Sequence, residues 1–352
     1  MSIVIALLVL SFLVFFHELG HFIVARLCGV SVEVFSIGFG KKIASVYIGR
    51  TQYALSLIPL GGYVKLKGQD DSNPKMRNNE PDSYLSKTPY ERIAILFAGP
   101  LFNLLLAFIL YMAVGMGGKM SILPVVSEVK EHSPAAKAHI QAGDRILSIN
   151  HTAIKTWDEL DSMILHTKGE LLFTLQRGDT NPSIVEVRIM PTQQESKNIF
   201  GESIMRNMVG IVGGVRGEVR YGFIESIGYG FNETLKASTL ILQGIIKLIG
   251  GVVPSSEVGS VVSIVYVFGL ASNDGWTMLF VLTALISVNL GILNLLPIPA
   301  LDGGHIVFNC YEIIARKPPN ENIAYYLTLC GWAVLLALMF LGLYNDIFRL
   351  LS

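Results

Sequence analysis

Four stretches of the chain, at about 2 to 24, 93 to 115, 276 to 296 and 323 to 345, run for some twenty residues with almost no charge. That is the length a helix needs to cross the hydrocarbon core of a bilayer. Four crossings place both ends of the chain on one side. Between the first two, the pattern shortens to alternation in Val32-Glu33-Val34-Phe35-Ser36-Ile37, Ser45-Val46-Tyr47-Ile48 and Tyr53-Ala54-Leu55-Ser56-Leu57, punctuated by Gly38, Gly40, Gly49, Gly61 and Gly62. This predicts short β-hairpins. They are either an ordinary cytoplasmic hairpin or a structure at membrane depth, where protein or water must cover the backbone and an edge strand can pair with an extended peptide. Gln69 to Pro89 is polar and reads as a loop. From Glu225 to Ile249, apolar residues recur at helical spacing (Ile227, Phe231, Leu235, Leu242, Ile246, Ile249), interrupted by Glu233, Lys236, Gln243 and Lys247. The pattern predicts an amphipathic surface helix; as a fifth span it would place two lysines in lipid. Val261 to Ala271 is apolar but too short to cross, and reads as re-entrant or as a packed lid.

Composition agrees with a polytopic α-helical membrane protein: of 352 residues 51% are hydrophobic and 15% charged, with a mean hydropathy of +0.52. Net charge is zero and no basic block appears, so no nucleic-acid partner is expected; the lipid bilayer is. Basic residues concentrate between the first two spans (Arg26, Lys41, Lys42, Arg50, Lys65, Lys67, Lys75, Arg77, Lys87, Arg92) and between the last two (Arg316, Lys317). By the positive-inside rule these loops are cytoplasmic, and both termini and the central region extracytoplasmic. The first span lacks a basic n-region and is too long for a signal peptide, so it is expected to be retained. Cys28, Cys310 and Cys330 have no paired spacing and are expected to serve in packing.

Charge in an apolar span needs a reason, and the first span carries His17-Glu18-Leu19-Gly20-His21 near its end. Residues four apart share a helix face, so both imidazoles can meet one zinc ion while Glu18 beside them acts as general base on a water. A catalytic zinc keeps three protein ligands, so the histidines require a distant partner. Asp302 is the strongest candidate, in the run Asn294-Leu295-Leu296-Pro297-Ile298-Pro299-Ala300-Leu301-Asp302-Gly303-Gly304-His305, where two prolines break the third span and a helix break at membrane depth can line a cavity. His305 is the rival ligand. In the second span, Gly99 and Pro100 are readable as a kink and Asn103 as an interhelical hydrogen bond.

Ser121 to about Pro191 has the texture of a small water-exposed domain. Its centre reads Ser133-Pro134-Ala135-Ala136, then Gln141-Ala142-Gly143-Asp144-Arg145-Ile146-Leu147-Ser148-Ile149-Asn150, and resembles the PDZ domains of bacterial membrane proteases. Such domains capture peptide ends or strands, or act as a lid or spacer. The domains expected are thus 1–118, a first transmembrane pair with the zinc motif and a membrane-associated β-hairpin; 119–195, one inserted PDZ domain; 196–275, a connection with the amphipathic helix; and 276–352, a second transmembrane pair with the third ligand.

Taken in order, His17 to His21, Gly99-Pro100-Leu101-Phe102-Asn103, the central domain and the Asn294 to Gly303 run resemble the site-2 protease family of intramembrane zinc metalloproteases, and within it the bacterial regulator-of-sigma-E type. The resemblance implies zinc bound by His17, His21 and Asp302, catalysis by Glu18, and Asn103 and Asn294 positioning substrate or the active-site helices. It further implies regulated intramembrane proteolysis in the inner membrane, with transmembrane substrates such as anti-sigma factors or remnant signal peptides. Two departures stand out: there is room for one PDZ domain rather than two, and Ser255-Ser256-Glu257-Val258-Gly259 lacks the Gly-Pro pair many relatives carry there. His17 lies about fifteen residues, roughly 22 Å, into its helix, so cleavage is expected toward the cytoplasmic leaflet. The reading from another class is a non-catalytic PDZ-bearing scaffold with a structural zinc.

Overall fold

The computed structural model of the chain describes residues 2–69, 80–167, 169–178, 182–271 and 275–351. Of the polar loop expected at 69 to 89, residues 70–79, with Lys75 and Arg77, lie outside the described residues. The chain divides into two compact units, Met1–Val114 with Ser226–Ser352, and Gly115–Glu225.

The first unit opens with α1 (Ser2–Leu27), β1 (Val32–Ile48), β2 (Thr51–Leu66) and α2 (Pro89–Gly117). The second contains β3 (Lys119–Ile122), β4 (Val126–Val129), α3 (Pro134–Lys137), β5 (Arg145–Ile149), β6 (Thr152–Ala153), α4 (Trp157–His166), β7 (Leu171–Arg177), β8 (Ser183–Ile189), β9 (Thr192–Lys197), β10 (Ser203–Met208), β11 (Ile211–Gly213) and β12 (Arg216–Val219). The first unit resumes with α5 (Phe223–Ile249), α6 (Val261–Ala271), α7 (Trp276–Asn294), α8 (Asp302–Ala315) and α9 (Glu321–Leu351).

Among the described residues four helices, α1, α2, α7 and α9, are long and apolar enough to cross a membrane, and they fall within a few residues of the four apolar windows. A helix satisfies its own backbone hydrogen bonds, which lipid cannot do. The protein is a membrane protein. The third span stops at Asn294, and Asp302 begins α8, a helix the apolar pattern did not announce. Gly303 and Gly304 permit this: a Cβ on either would stand 2.3 Å from the carbonyl oxygens of Leu295 and Ile298, respectively.

Instead of short hairpins, β1 and β2 are two long strands joined by a tight turn and bent sharply. Val32 to Ile37 pairs with Leu66 to Gly62, and Ala44 to Ile48 with Leu55 to Thr51. Phe35, Ser36 and Ile37 additionally sit beside Tyr53, Ala54 and Leu55, so the ribbon folds back on itself. The bend falls at Gly38 and Gly40, both at positive φ, where a Cβ on Gly38 would press on the carbonyl oxygens of Ser56 and Ile58. The near half of β1 is largely buried, with Val32 and Phe35 in the interior; the far half exposes Ile43, Val46, Tyr47 and Ile48. β2 packs along α1. At the base of the sheet, Asp82 accepts hydrogen bonds from Lys67 Nζ (2.8 Å) and Ser31 Oγ (2.7 Å), which hold its carboxyl down to about 2.

α5 forms as expected, but its small residues Ser226, Gly230 and Ala237 are the buried ones. Gly230 crosses α2 so closely that a Cβ would stand 2.8 Å from Phe108 O. The apolar residues Phe231, Leu235, Ile246 and Ile249 face outward. α6 packs against α1 and α9, and at its start Ser260 and Ser263 donate to Asp346 of α9. Cys310 and Cys330 are exposed rather than packed, and all three cysteines are free.

In the second unit a four-stranded sheet, ordered β6-β5-β7-β8, encloses with α4 a core of Ile146, Ile149, Leu160, Leu171, Phe173 and Leu175. α4 starts at a reciprocal cap between Thr156 and Glu159. The unit reaches Glu225, beyond the boundary expected at 195, because β11 and β12 return to pair with β4 and β3.

Candidate metal centre

His17 and His21 project from one face of α1, and Asp302 from the start of α8, into one cluster. Nε2 of His17 is 3.2 Å and Nε2 of His21 is 3.4 Å from Asp302 Oδ2, and the two Nε2 atoms are 3.2 Å apart. A tetrahedral ion with bonds of about 2.05 Å to N and O ligands spaces those atoms about 3.3 Å apart. The three distances fit zinc.

The second nitrogens of the rings add to that fit. His21 Nδ1 lies 2.8 Å from the Ile95 carbonyl oxygen, which only accepts, so Nδ1 carries the proton and Nε2 presents its lone pair. His17 Nδ1 faces the side-chain amide of fully buried Asn103 at 3.2 Å. Asn103 is placed with its amide nitrogen toward the ring and its Oδ1 buried without a partner. Turning the amide over lets Oδ1 accept from Nδ1–H of His17 and again frees Nε2 for a metal. That tautomer, with Nδ1 protonated and Nε2 free, is the one a zinc-binding imidazole adopts.

Two glycines bring α2 this close. A Cβ on Gly20 would stand 2.3 Å from Ala98 O, and one on Gly99 would stand 2.3 Å from His21 Nε2. At the next level Ser287 Oγ of α7 donates to Asn103 O at 2.7 Å, and Gly291 lies against Pro100 O. Asn294, the last residue of α7, brings Nδ2 to 3.5 Å from His17 Nε2, on the ligand side of the ring. Glu18 is turned toward the sheet: its Cγ would be 3.6 Å from a Cβ on Gly62. His305 is outside the cluster, its ring against Phe308. Among the described residues no fourth His, Cys, Asp or Glu joins the three. The sequence marked His17, Glu18, His21 and Asp302, but not the Ile95 carbonyl or the seats at Gly20 and Gly99. Gly99 was visible only as half of a Gly-Pro kink.

A family model described as Peptidase family M50 matches residues 5–338. The chain belongs to peptidase family M50. This is the site-2 protease family that its motifs resemble. Among relatives of this M50 peptidase, a protein of Campylobacter jejuni named "Putative zinc metalloprotease" is 44% identical over 346 residues, covering 98% of this chain and 93% of the relative. A protein of the same description from Helicobacter pylori is 40% identical, covering 99% of each. One from Clostridium acetobutylicum is 32% identical, covering 98% and 97%.

Proposed function

We propose that this M50 peptidase is a zinc-dependent intramembrane endoprotease, with His17, His21 and Asp302 as ligands and Glu18 as general base. The observation that carries the reading is the near-equal spacing of the three ligand atoms, two of them near the C-terminal end of a membrane helix, with a second carboxylate, Glu18, next to His17 in the chain and outside the set. A structural zinc is normally closed by four protein ligands, which leaves the scaffold reading without support in this arrangement.

Bound there, zinc would acidify a water and polarise the scissile carbonyl. Glu18 takes the proton of the attacking water and delivers one to the leaving amine nitrogen. Asn294, on the ligand side of His17, is placed to donate a hydrogen bond to the carbonyl oxygen as negative charge develops on it. Asn103, enclosed behind the same ring, orients His17 instead of touching substrate. The substrate is a membrane-spanning segment, which must first unwind because a helix has already committed its carbonyls. The half of β2 from Gly61 to Leu66, against Glu18, offers an edge on which the unwound segment can be held extended.

The second unit is read as a PDZ domain that selects substrates. By charge, the termini and this unit are extracytoplasmic and the enzyme lies in the inner membrane with its site toward the cytoplasmic leaflet. Regulated cleavage of anti-sigma factors or remnant signal peptides is the substrate class that fits the family resemblance. The decisive experiment is cleavage of a membrane-spanning substrate by the purified chain, with metal analysis: chelation should abolish cleavage and zinc restore it. Cleavage that persists after complete metal removal would overturn the reading.

A further inference from the structure

α2 reaches the helices of all three ligand residues. Ile95 O holds His21 and Asn103 lies on His17. One turn before Ile95, Arg92 extends to α8: its Nη2 donates to Glu312 Oε1 at 2.8 Å, and its Nε donates to Lys87 O at 3.2 Å. The two charged side chains are only 13% and 20% exposed. An ion pair so enclosed holds one geometry, whereas exposed pairs exchange freely with water.

Glu312 lies ten residues beyond Asp302 on the same helix, about 15 Å at 1.5 Å per residue. At its near end α8 is seated by Gly303 and Gly304 against the carbonyls of the Leu295 to Ile298 break. Two glycines alone make a pivot. With Glu312 tied to α2, the helix is held at both ends, and the carboxylate at its start is fixed against the histidines.

We propose that the Arg92–Glu312 pair is a positioning brace for Asp302: it sets the angle of α8, and through it the place of Oδ2 between the two Nε2 atoms. Neither residue touches the reacting atoms. The inference rests on Asp302 being a zinc ligand, and one set of variants tests both.

Zinc affinity of the full chain in detergent is measured by competition with a chelator, and the visible spectrum is recorded after cobalt substitution. The variants are Asp302→Ala, Arg92→Ala, Arg92→Lys, Glu312→Ala and Glu312→Gln, all on monodisperse protein, with unfolding temperature measured alongside. Loss of a partner bonded directly to a metal ligand typically weakens binding about 10- to 100-fold. Arg92 and Glu312 act one step further out, so Arg92→Ala and Glu312→Ala should weaken zinc binding by about the lower end of that range, with an altered cobalt spectrum, and Arg92→Lys, which keeps the charge, should recover part of the loss. A pair that only stabilises the fold would lower the unfolding temperature of metal-free and metal-loaded protein alike and leave affinity and spectrum unchanged. That result overturns the brace. Should the alanine variants not fold, Glu312→Gln, nearly identical in volume, decides: affinity within about twofold of the wild type refutes the proposal. If Asp302→Ala itself keeps wild-type affinity, the ligand assignment fails, and this is distinguishable from failure of the brace alone.

Discussion

Gly99 sits so close to His21 that a methyl group on its Cα would stand 2.3 Å from Nε2, and 2.9 Å from Cε1 of His17. The place of that methyl is the metal-facing edge of both rings. Gly99→Ala is therefore expected to displace the ligands and lower zinc affinity by about tenfold or more, while Gly228→Ala, with open space around it, leaves affinity unchanged. Metal content of the purified variants after dialysis checks this. Wild-type zinc retention in Gly99→Ala would show that α2 yields at this level.

Ligands and base fail differently. Glu18→Gln should keep its zinc and lose cleavage by about a hundredfold or more, because an amide cannot accept the water's proton. Asp302→Ala should lose both, since two histidines alone hold zinc far more weakly than three ligands. Metal analysis and cleavage on the same preparations separate the roles. Normal cleavage by Glu18→Gln, or full zinc in Asp302→Ala, would contradict the assignment.

The gathering of His17, His21 and Asp302 was the most legible part of the site, because a charged motif inside an apolar span leaves few explanations and because the prolines at 297 and 299 mark where the backbone must break. The four spans were legible for a similar reason: lipid demands long apolar runs. The ligands' supports were not. The Ile95 carbonyl is a backbone atom with no sequence signature, and Gly20 and Gly99 matter for a side chain they lack. α8 was hidden by its own polarity, since Asp302, Asn309 and Glu312 interrupt any apolar window. For α5 the amphipathic period was correct, yet the large apolar residues face outward and the small ones pack inward. In a membrane protein lipid takes the place of a core, and close helix crossings favour small residues.

The two asparagines beside His17 should give opposite results. Asn103→Leu removes the acceptor for Nδ1–H at a fully buried position, so zinc affinity should fall about 10- to 100-fold, with cleavage recovering as zinc is raised. Asn294→Ala should bind zinc normally. Its loss belongs to the reaction, where removing one donor to a developing oxyanion costs on the order of a hundredfold or more in turnover. Titrating zinc during the cleavage assay distinguishes them: rescue of Asn294→Ala by zinc, or its absence for Asn103→Leu, would exchange the two roles.

The proposed orientation of the chain rests on where its basic residues lie. Arg316 and Lys317 close the connection before α9, and ten Lys and Arg residues lie from Arg26 to Arg92, whereas the second unit follows the second span in the chain. An excess of Lys and Arg near span ends is retained in the cytoplasm, so both basic loops should be inside and the second unit outside. With Cys28, Cys310 and Cys330 replaced, single cysteines at Lys75 and Arg316 should resist a membrane-impermeant maleimide in intact spheroplasts and react once the membrane is opened, while His151→Cys should react from the start. The same orientation gives the second unit a role that deletion can test. No proposed ligand lies between residues 115 and 225, so a chain in which they are replaced by a flexible linker should still bind zinc and still cleave, with altered choice among substrates. Early labelling at Lys75 and Arg316 combined with protection of His151→Cys would invert the topology, and with it the leaflet in which the zinc site lies.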